Sequence, residues 1–120
     1  MTEIALEELS ARLGDDQPPT VLDVRTAEEY DGVLGYPCDP RQGHVPGARH
    51  VELAELVACA SVEEVRQLVE LPEGAEVVAY CHSGSRSALA VQVLRAAGYS
   101  ARNYPGSWHE WSRTDLPAER

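Results

Sequence analysis

A cysteine set between a valine-rich run and a helical stretch is the feature that most limits what this chain can fold into. Glu76-Val77-Val78-Ala79-Tyr80 has the β-branched content and short length of a buried strand. The small, polar segment Cys81-His82-Ser83-Gly84-Ser85-Arg86-Ser87 follows it. Ala88 to Ala97 is then apolar and long enough for a helix, stopped by Gly98. Open α/β sheets place their ligand sites at such strand ends. Backbone N–H groups of the loop and the first helical turn would converge on the sulfur, and the helix dipole adds positive potential. Both favour the thiolate, which is the reactive form. Gly84 lets the backbone curl, and the serines can donate hydrogen bonds. A cysteine packed only as a small hydrophobe would be followed by apolar residues, not by serines and an arginine. Cys81 is therefore the candidate nucleophile.

The rest of the chain alternates strands and helices. Glu3-Ile4 reads as a minimal first strand before a helix with Leu6, Leu9 and Leu13 on one face, ended by Gly14. Thr20 to Val24 is a strand apolar enough to be buried on both faces. Thr26-Ala27-Glu28-Glu29 forms a capping box that starts a short helix. Residues 31–42 are rich in Gly and Pro, have no period and form a loop long enough to suggest a function. Gly43 to Ala48 turns into the brief strand Arg49-His50-Val51. Glu52 to Ala60 reads as a helix with Cys59 packed inside, and Ser61-Val62-Glu63-Glu64 caps the next. Tyr99 to Tyr104 is the last strand, Ser107 to Trp111 a short final helix, and residues 114–120 an irregular tail. This alternation implies a mostly parallel sheet with helices on both faces, residues 1–120 forming one domain.

A formal net charge of −10 disfavours nucleic acid and acidic membrane surfaces, and leaves any anion site dependent on local donors. No apolar stretch has the length of a membrane span, and the N-terminus is acidic, unlike a signal peptide. A cytoplasmic location is expected. Cys38, Cys59 and Cys81 cannot all pair within the chain and match no zinc spacing, so free thiols and no metal are expected.

The cysteine loop resembles the active loop of the rhodanese family, sulfurtransferases in which a cysteine carries a sulfur atom as a persulfide. Val21 to Tyr30 is similar to that family's N-terminal motif and Gly43-His44-Val45-Pro46-Gly47-Ala48 to its next. Tyr104 to Trp111 looks like the C-terminal signature of thiosulfate and mercaptopyruvate sulfurtransferases. The four stretches occur in the family's order. The resemblance implies a three-layer α/β domain with a five-stranded parallel sheet in the order 3-2-4-5-1. It also implies Cys81 as the catalytic residue and His82, Ser83, Gly84, Ser85, Arg86 and Ser87 as the loop that binds substrate and persulfide. Asp23, Arg25, Arg41 and Trp108 are candidate supporting residues. Asp23 and Arg25 should brace loops through charged hydrogen bonds, His44 should fix a turn, and Trp108 and Trp111 should pack.

Departures from related patterns sharpen the expectation. Arg86 lies five residues after Cys81, whereas cysteine phosphatases place their arginine one residue later, so phosphatase or arsenate reductase chemistry is disfavoured. Tandem sulfurtransferases carry a substrate-binding arginine four positions after the one matching Arg25; here that position is Glu29, and Arg41 is the candidate to compensate. The leading reading is a single-domain sulfurtransferase, monomeric or homodimeric, that takes sulfur from a small anionic donor without a cofactor. A persulfide carrier serving a protein acceptor is the first alternative, and a non-catalytic interaction domain, normally marked by a replaced cysteine, the second. Arg86 gives the loop a cation, so thiosulfate is the expected donor and Arg86 its expected binding group. Cys38 is expected to be exposed and idle rather than a resolving thiol, with Asp39 beside it raising its pKa.

Overall fold

The computed structural model describes residues 2–120; Met1, the expected start of the domain, lies outside the described residues. In chain order the elements are α1 (Leu6–Leu13), β1 (Thr20–Asp23), α2 (Ala27–Asp31), β2 (Arg49–His50), α3 (Leu53–Ala58), α4 (Val62–Val69), β3 (Glu76–Tyr80), α5 (Ser85–Ala96), β4 (Ser100–Asn103) and α6 (Ser107–Trp111). The strands form one sheet in the order β2-β1-β3-β4, and all its pairings are parallel. Asp23 is level with Tyr80 on one side and His50 on the other. Among the described residues the sheet has four strands, not the expected five. Glu3 makes only an isolated parallel bridge to Asn103, beside β4, where the order 3-2-4-5-1 puts strand 1. Two backbone bonds hold it there, Ile4 N–H to Asn103 O at 2.9 Å and Asn103 N–H to Thr2 O at 2.7 Å. Ala5 then caps α1, so the chain leaves the sheet edge before a ladder can form.

Alternation along the central strands sorts the core into two halves. Leu22, Val77 and Ala79 point into a cluster with Leu56 of α3, Val65 and Val69 of α4, and Val91 and Leu94 of α5. Their neighbours Val21, Val78 and Tyr80 point the other way, against Leu9 of α1 and Trp108 and Trp111 of α6. The central strands β1 and β3 are thus buried on both faces, as their near-continuous apolar runs implied. The layers are helix, sheet, helix.

Several boundaries differ from the sequence reading. α5 begins at Ser85 rather than Ala88, so Ser85, Arg86 and Ser87 are its first turn and the free loop is only His82 to Gly84. Gly84, in a left-handed conformation, is the N-cap, and no side-chain cap marks this helix start in the sequence. α3 ends at Ala58, and Cys59, its C-cap, is half-buried and packed against the cluster around Leu22 and Leu56 rather than fully inside it, its thiol donating to Glu55 O at 3.3 Å. The tail is anchored as well as irregular: Glu119 bridges His44 antiparallel, with N–H···O distances of 2.7 and 2.9 Å.

A buried charged node joins the strand ends. The Arg25 guanidinium donates to Asp23 Oδ2 at 2.7 Å and Gly43 O at 2.6 Å. Tyr80 Oη donates to Asp23 Oδ2 at 2.7 Å and accepts from Val45 N–H at 3.0 Å. Arg25 also lies 5.3 Å from the Trp108 ring. Asp23 and Arg25 thus tie the strand ends to Gly43 and, through Tyr80, to Val45. Asp23→Ala leaves the buried guanidinium without its countercharge and the buried Tyr80 hydroxyl without its acceptor, and should cost roughly 3–5 kcal/mol. Urea unfolding should show a lower midpoint with little change in slope; a loss below about 1 kcal/mol would rule out this bracing role.

Candidate active site

Cys81 is the first residue beyond β3 and is buried. The chain can fold back over it because Gly84 adopts φ +97°, a left-handed conformation open to glycine. A Cβ there would also meet Pro105 O at 2.7 Å, so both backbone shape and space require glycine. In this turn Gly84 N–H donates to Cys81 Sγ at 3.1 Å. Burial pushes the Cys81 pKa up, but the Ser87 hydroxyl and the N–H groups of Ser87, Gly84 and Ser83 pull it down by more, so the thiol titrates below its ordinary value.

The Ser87 hydroxyl has a single proton and more than one acceptor. Asn103 Oδ1 is 2.7 Å away and the sulfur 3.4 Å. The Asn103 amide is fixed in that orientation because its Nδ2 donates to Gly84 O at 3.1 Å. The backbone N–H groups are therefore the standing donors to the thiolate, with Ser87 able to turn towards it.

α6 holds this arrangement from the other side. Ser107 is fully buried with φ +55°, a left-handed conformation uncommon for serine. Its Oγ accepts from Cys81 N–H at 3.1 Å and donates to Tyr104 O at 2.9 Å. The next two amides complete the support: Trp108 N–H donates to Cys81 O and His109 N–H to His82 O, both at 2.9 Å. Asn103 and Ser107 are positioning residues that the sequence reading missed. Only the Tyr104–Trp111 resemblance touches Ser107, and no periodicity marks either.

Arg86 is not a free cation. Its guanidinium makes a two-pronged pair with Glu29, at 2.9 Å to Oε1 and 3.2 Å to Oε2. Burial acts to raise the Glu29 pKa, but the Arg86 and Thr26 hydrogen bonds bring it below the ordinary carboxylate value. Glu29 also accepts from Thr26 N–H at 3.1 Å, completing the capping box of α2. Arg41 does not compensate. It donates to Trp111 O and Ser112 O at 3.1 and 3.2 Å, at the C-terminal end of α6. Trp108 is fully buried, its indole N–H donating to Arg41 O at 3.0 Å.

The long loop, residues 32–42, packs onto the cysteine loop. Tyr36 stacks on His82 with ring centroids 3.6 Å apart. Asp39 is buried against His82 Nε2 at 3.0 Å, close enough to pair but not aligned as a hydrogen bond, and against Arg113 at 2.9 Å. Among the described residues, Cys38, Asp39 and His82 bring a sulfur, a carboxylate oxygen and a ring nitrogen within 4.8 Å of one another. The Asp39 charge in that group is already met by Arg113. The Cys38 side chain is exposed, as expected.

A family model described as a rhodanese-like domain matches residues 5–114. The chain belongs to that family. It is similar to the sulfur carrier protein TtuD of Thermus thermophilus, 37% identical over 106 residues that cover 76% of this chain and 37% of that protein. It is similar to a sulfurtransferase of Allochromatium vinosum, 31% identical over 118 residues, 98% of this chain and 94% of that one. A crystal structure of a probable thiosulfate sulfurtransferase superposes with a TM-score of 0.85 at 41% identity, covering 99% of this chain and 48% of that one. The chain spans well under half the length of the first curated relatives it matches.

In this rhodanese-like domain the expected site residues divide by position. Cys81, Ser83, Gly84 and Ser87 form the cradle of the sulfur, Arg86 flanks it paired to Glu29, His82 flanks it stacked on Tyr36 and close to Asp39, Ser85 is exposed at the start of α5, and Asp23, Arg25, Arg41 and Trp108 lie behind it. Because the thiol pKa is lowered, alkylation of Cys81 by iodoacetamide should have its pH midpoint below that of a free cysteine peptide measured alongside. A midpoint at or above that value would show that burial outweighs the amides.

Proposed function

We propose that the chain is a sulfurtransferase working through a persulfide on Cys81. The observation that carries this reading is the buried Cys81 sulfur under the Gly84 N–H at 3.1 Å, with its pKa lowered by the Ser87 hydroxyl and the loop amides. The Cys81 thiolate attacks the sulfane sulfur of a donor, and the bond from that sulfur to the rest of the donor breaks with its electron pair on the leaving group. The outer sulfur of the resulting persulfide is then taken by a thiophilic acceptor, giving ping-pong order. The loop N–H groups hold the persulfide anion as an oxyanion hole holds its charge. The relatives named as sulfurtransferases support the reaction class. Residues 1–120 are read as one domain of this kind. The cysteines are all unpaired, which suits a reducing compartment such as the cytoplasm.

A second reading is a carrier that hands its sulfur to a protein acceptor. The relatives named as sulfur carrier proteins favour it. So does the exposure of Val33 and Leu34 on the long loop. A sulfur-transfer rate that depends on a protein acceptor and exceeds thiosulfate turnover would select it. The retained cysteine with a built cradle speaks against a non-catalytic module.

Intact-mass measurement after treatment with a sulfane-sulfur donor should show one added sulfur in wild type and in Cys38→Ser, and none in Cys81→Ser. Failure of Cys38→Ser to gain the sulfur would place the long loop's thiol in the reaction and overturn the single-cysteine mechanism.

A further inference from the structure

Where the long loop meets the cysteine loop, two buried polar atoms face each other without a hydrogen bond. Asp39 Oδ2 and His82 Nε2 are 3.0 Å apart, on side chains 1% and 9% exposed. Neither atom has a hydrogen-bond partner among the described residues. Buried polar atoms are rarely left so, because each loses its hydration without replacement. The Cys38 sulfur completes the group. It is 3.9 Å from Asp39 Oδ1, and the three ligand-type atoms lie within 4.8 Å of one another.

The neighbouring cations leave this gap open. Arg113 donates to Asp39 Oδ1 at 2.9 Å, meeting the charge through one oxygen and leaving Oδ2 bare. His109 Nδ1 stands 3.9 Å from that same Oδ1, on a side chain 52% exposed. The ligand atoms are also held in place. Tyr36 stacks on the His82 ring, and Asp39 N–H donates to Tyr36 O at 3.0 Å. Arg113 reaches back to Cys38 O at 3.0 Å. Ligands fixed before binding cost little to order. Cys38 is exposed, so its side chain can turn towards the pair.

We propose that Cys38, Asp39 and His82 form a binding site for Zn²⁺. A thiolate, an imidazole nitrogen and a carboxylate oxygen are all zinc ligands, whereas Mg²⁺ and Ca²⁺ take oxygen. Zinc bonds of about 2.0–2.2 Å to nitrogen and oxygen set tetrahedral neighbours roughly 3.4 Å apart. The 3.0 Å between Nε2 and Oδ2 needs only a small widening to match. His82 binds through neutral Nε2, and the Cys38 thiol loses its proton to solvent, so binding releases a proton. Asp39 Oδ1 stays on Arg113, and water takes the fourth position. The spacing of the three cysteines argues against an all-thiolate site, but this one takes a single thiol. The net charge of −10 favours the approach of a cation. The metal ties the long loop to the residue after Cys81 without using the Cys81 sulfur, so the site does not rest on the sulfur-transfer reading.

Calorimetric titration of the full chain with zinc chloride near neutral pH should show one site with a Kd of about 1 μM or tighter. Cys38→Ser and His82→Gln should each weaken it at least about tenfold, the scale of one lost ligand, and Cys59→Ser should leave it unchanged. Cobalt(II) in place of zinc should give a sulfur-to-metal charge-transfer band in wild type and in Cys81→Ser, and none in Cys38→Ser. The exposed Cys38 side chain makes its serine variant safe for the fold. Absence of saturable zinc binding, or binding undiminished in Cys38→Ser, would overturn the proposal. So would a cobalt band kept in Cys38→Ser and lost in Cys81→Ser, which would assign the metal to Cys81. Sulfur loading of Cys81 in metal-free buffer is decided separately.

Discussion

The Asp23 carboxylate is the contact on which the rest of the structure depends. It lies at the end of β1, fully buried, and its charge is met by Arg25 and the Tyr80 hydroxyl. Through those two partners it reaches the turn at Gly43, the amide of Val45 and the end of β3. Cys81 is the very next residue after Tyr80. A buried charge without its partners is costly, so the three segments are obliged to meet in one geometry. The hydrophobic clusters on the two faces of the sheet give the larger share of the stability, but they tolerate small shifts that this node does not.

With the strand end fixed, the cysteine loop is built almost wholly from backbone. Gly84 and the first turn of α5 point amides at the sulfur, and the first turn of α6 fastens the carbonyls of Cys81 and His82. Anion stabilisation by N–H groups needs little of the side chains beyond small size, which explains why serines and a glycine suffice. The charged side chains nearby serve other ends. Glu29 and Asp39 engage the cations next to the loop, and in doing so tie α2 and the long loop to it. The same carboxylates that assemble the site thus set its electrostatic character.

The sequence by itself determined the elements that follow from local pattern. The valine-rich run before Cys81, the capping box at Thr26 and Glu29, and the glycine stop at Gly98 each report a backbone preference that neighbours hardly alter. From their order came the parallel sheet with helices on both faces, and Cys81 at a strand end. Only the tertiary structure decided that Glu3 would stop at a single bridge, because a sheet edge is lost or kept by where the following helix must pack. It also decided the partners of the side chains. Glu29 and Arg86 are 57 residues apart, Cys81 and Ser107 are 26 apart, and their pairing is fixed by how layers stack, not by any local period. Residue type shows which charges and donors a chain has; whether a charge is free or already met depends on what the fold brings within 3 Å of it.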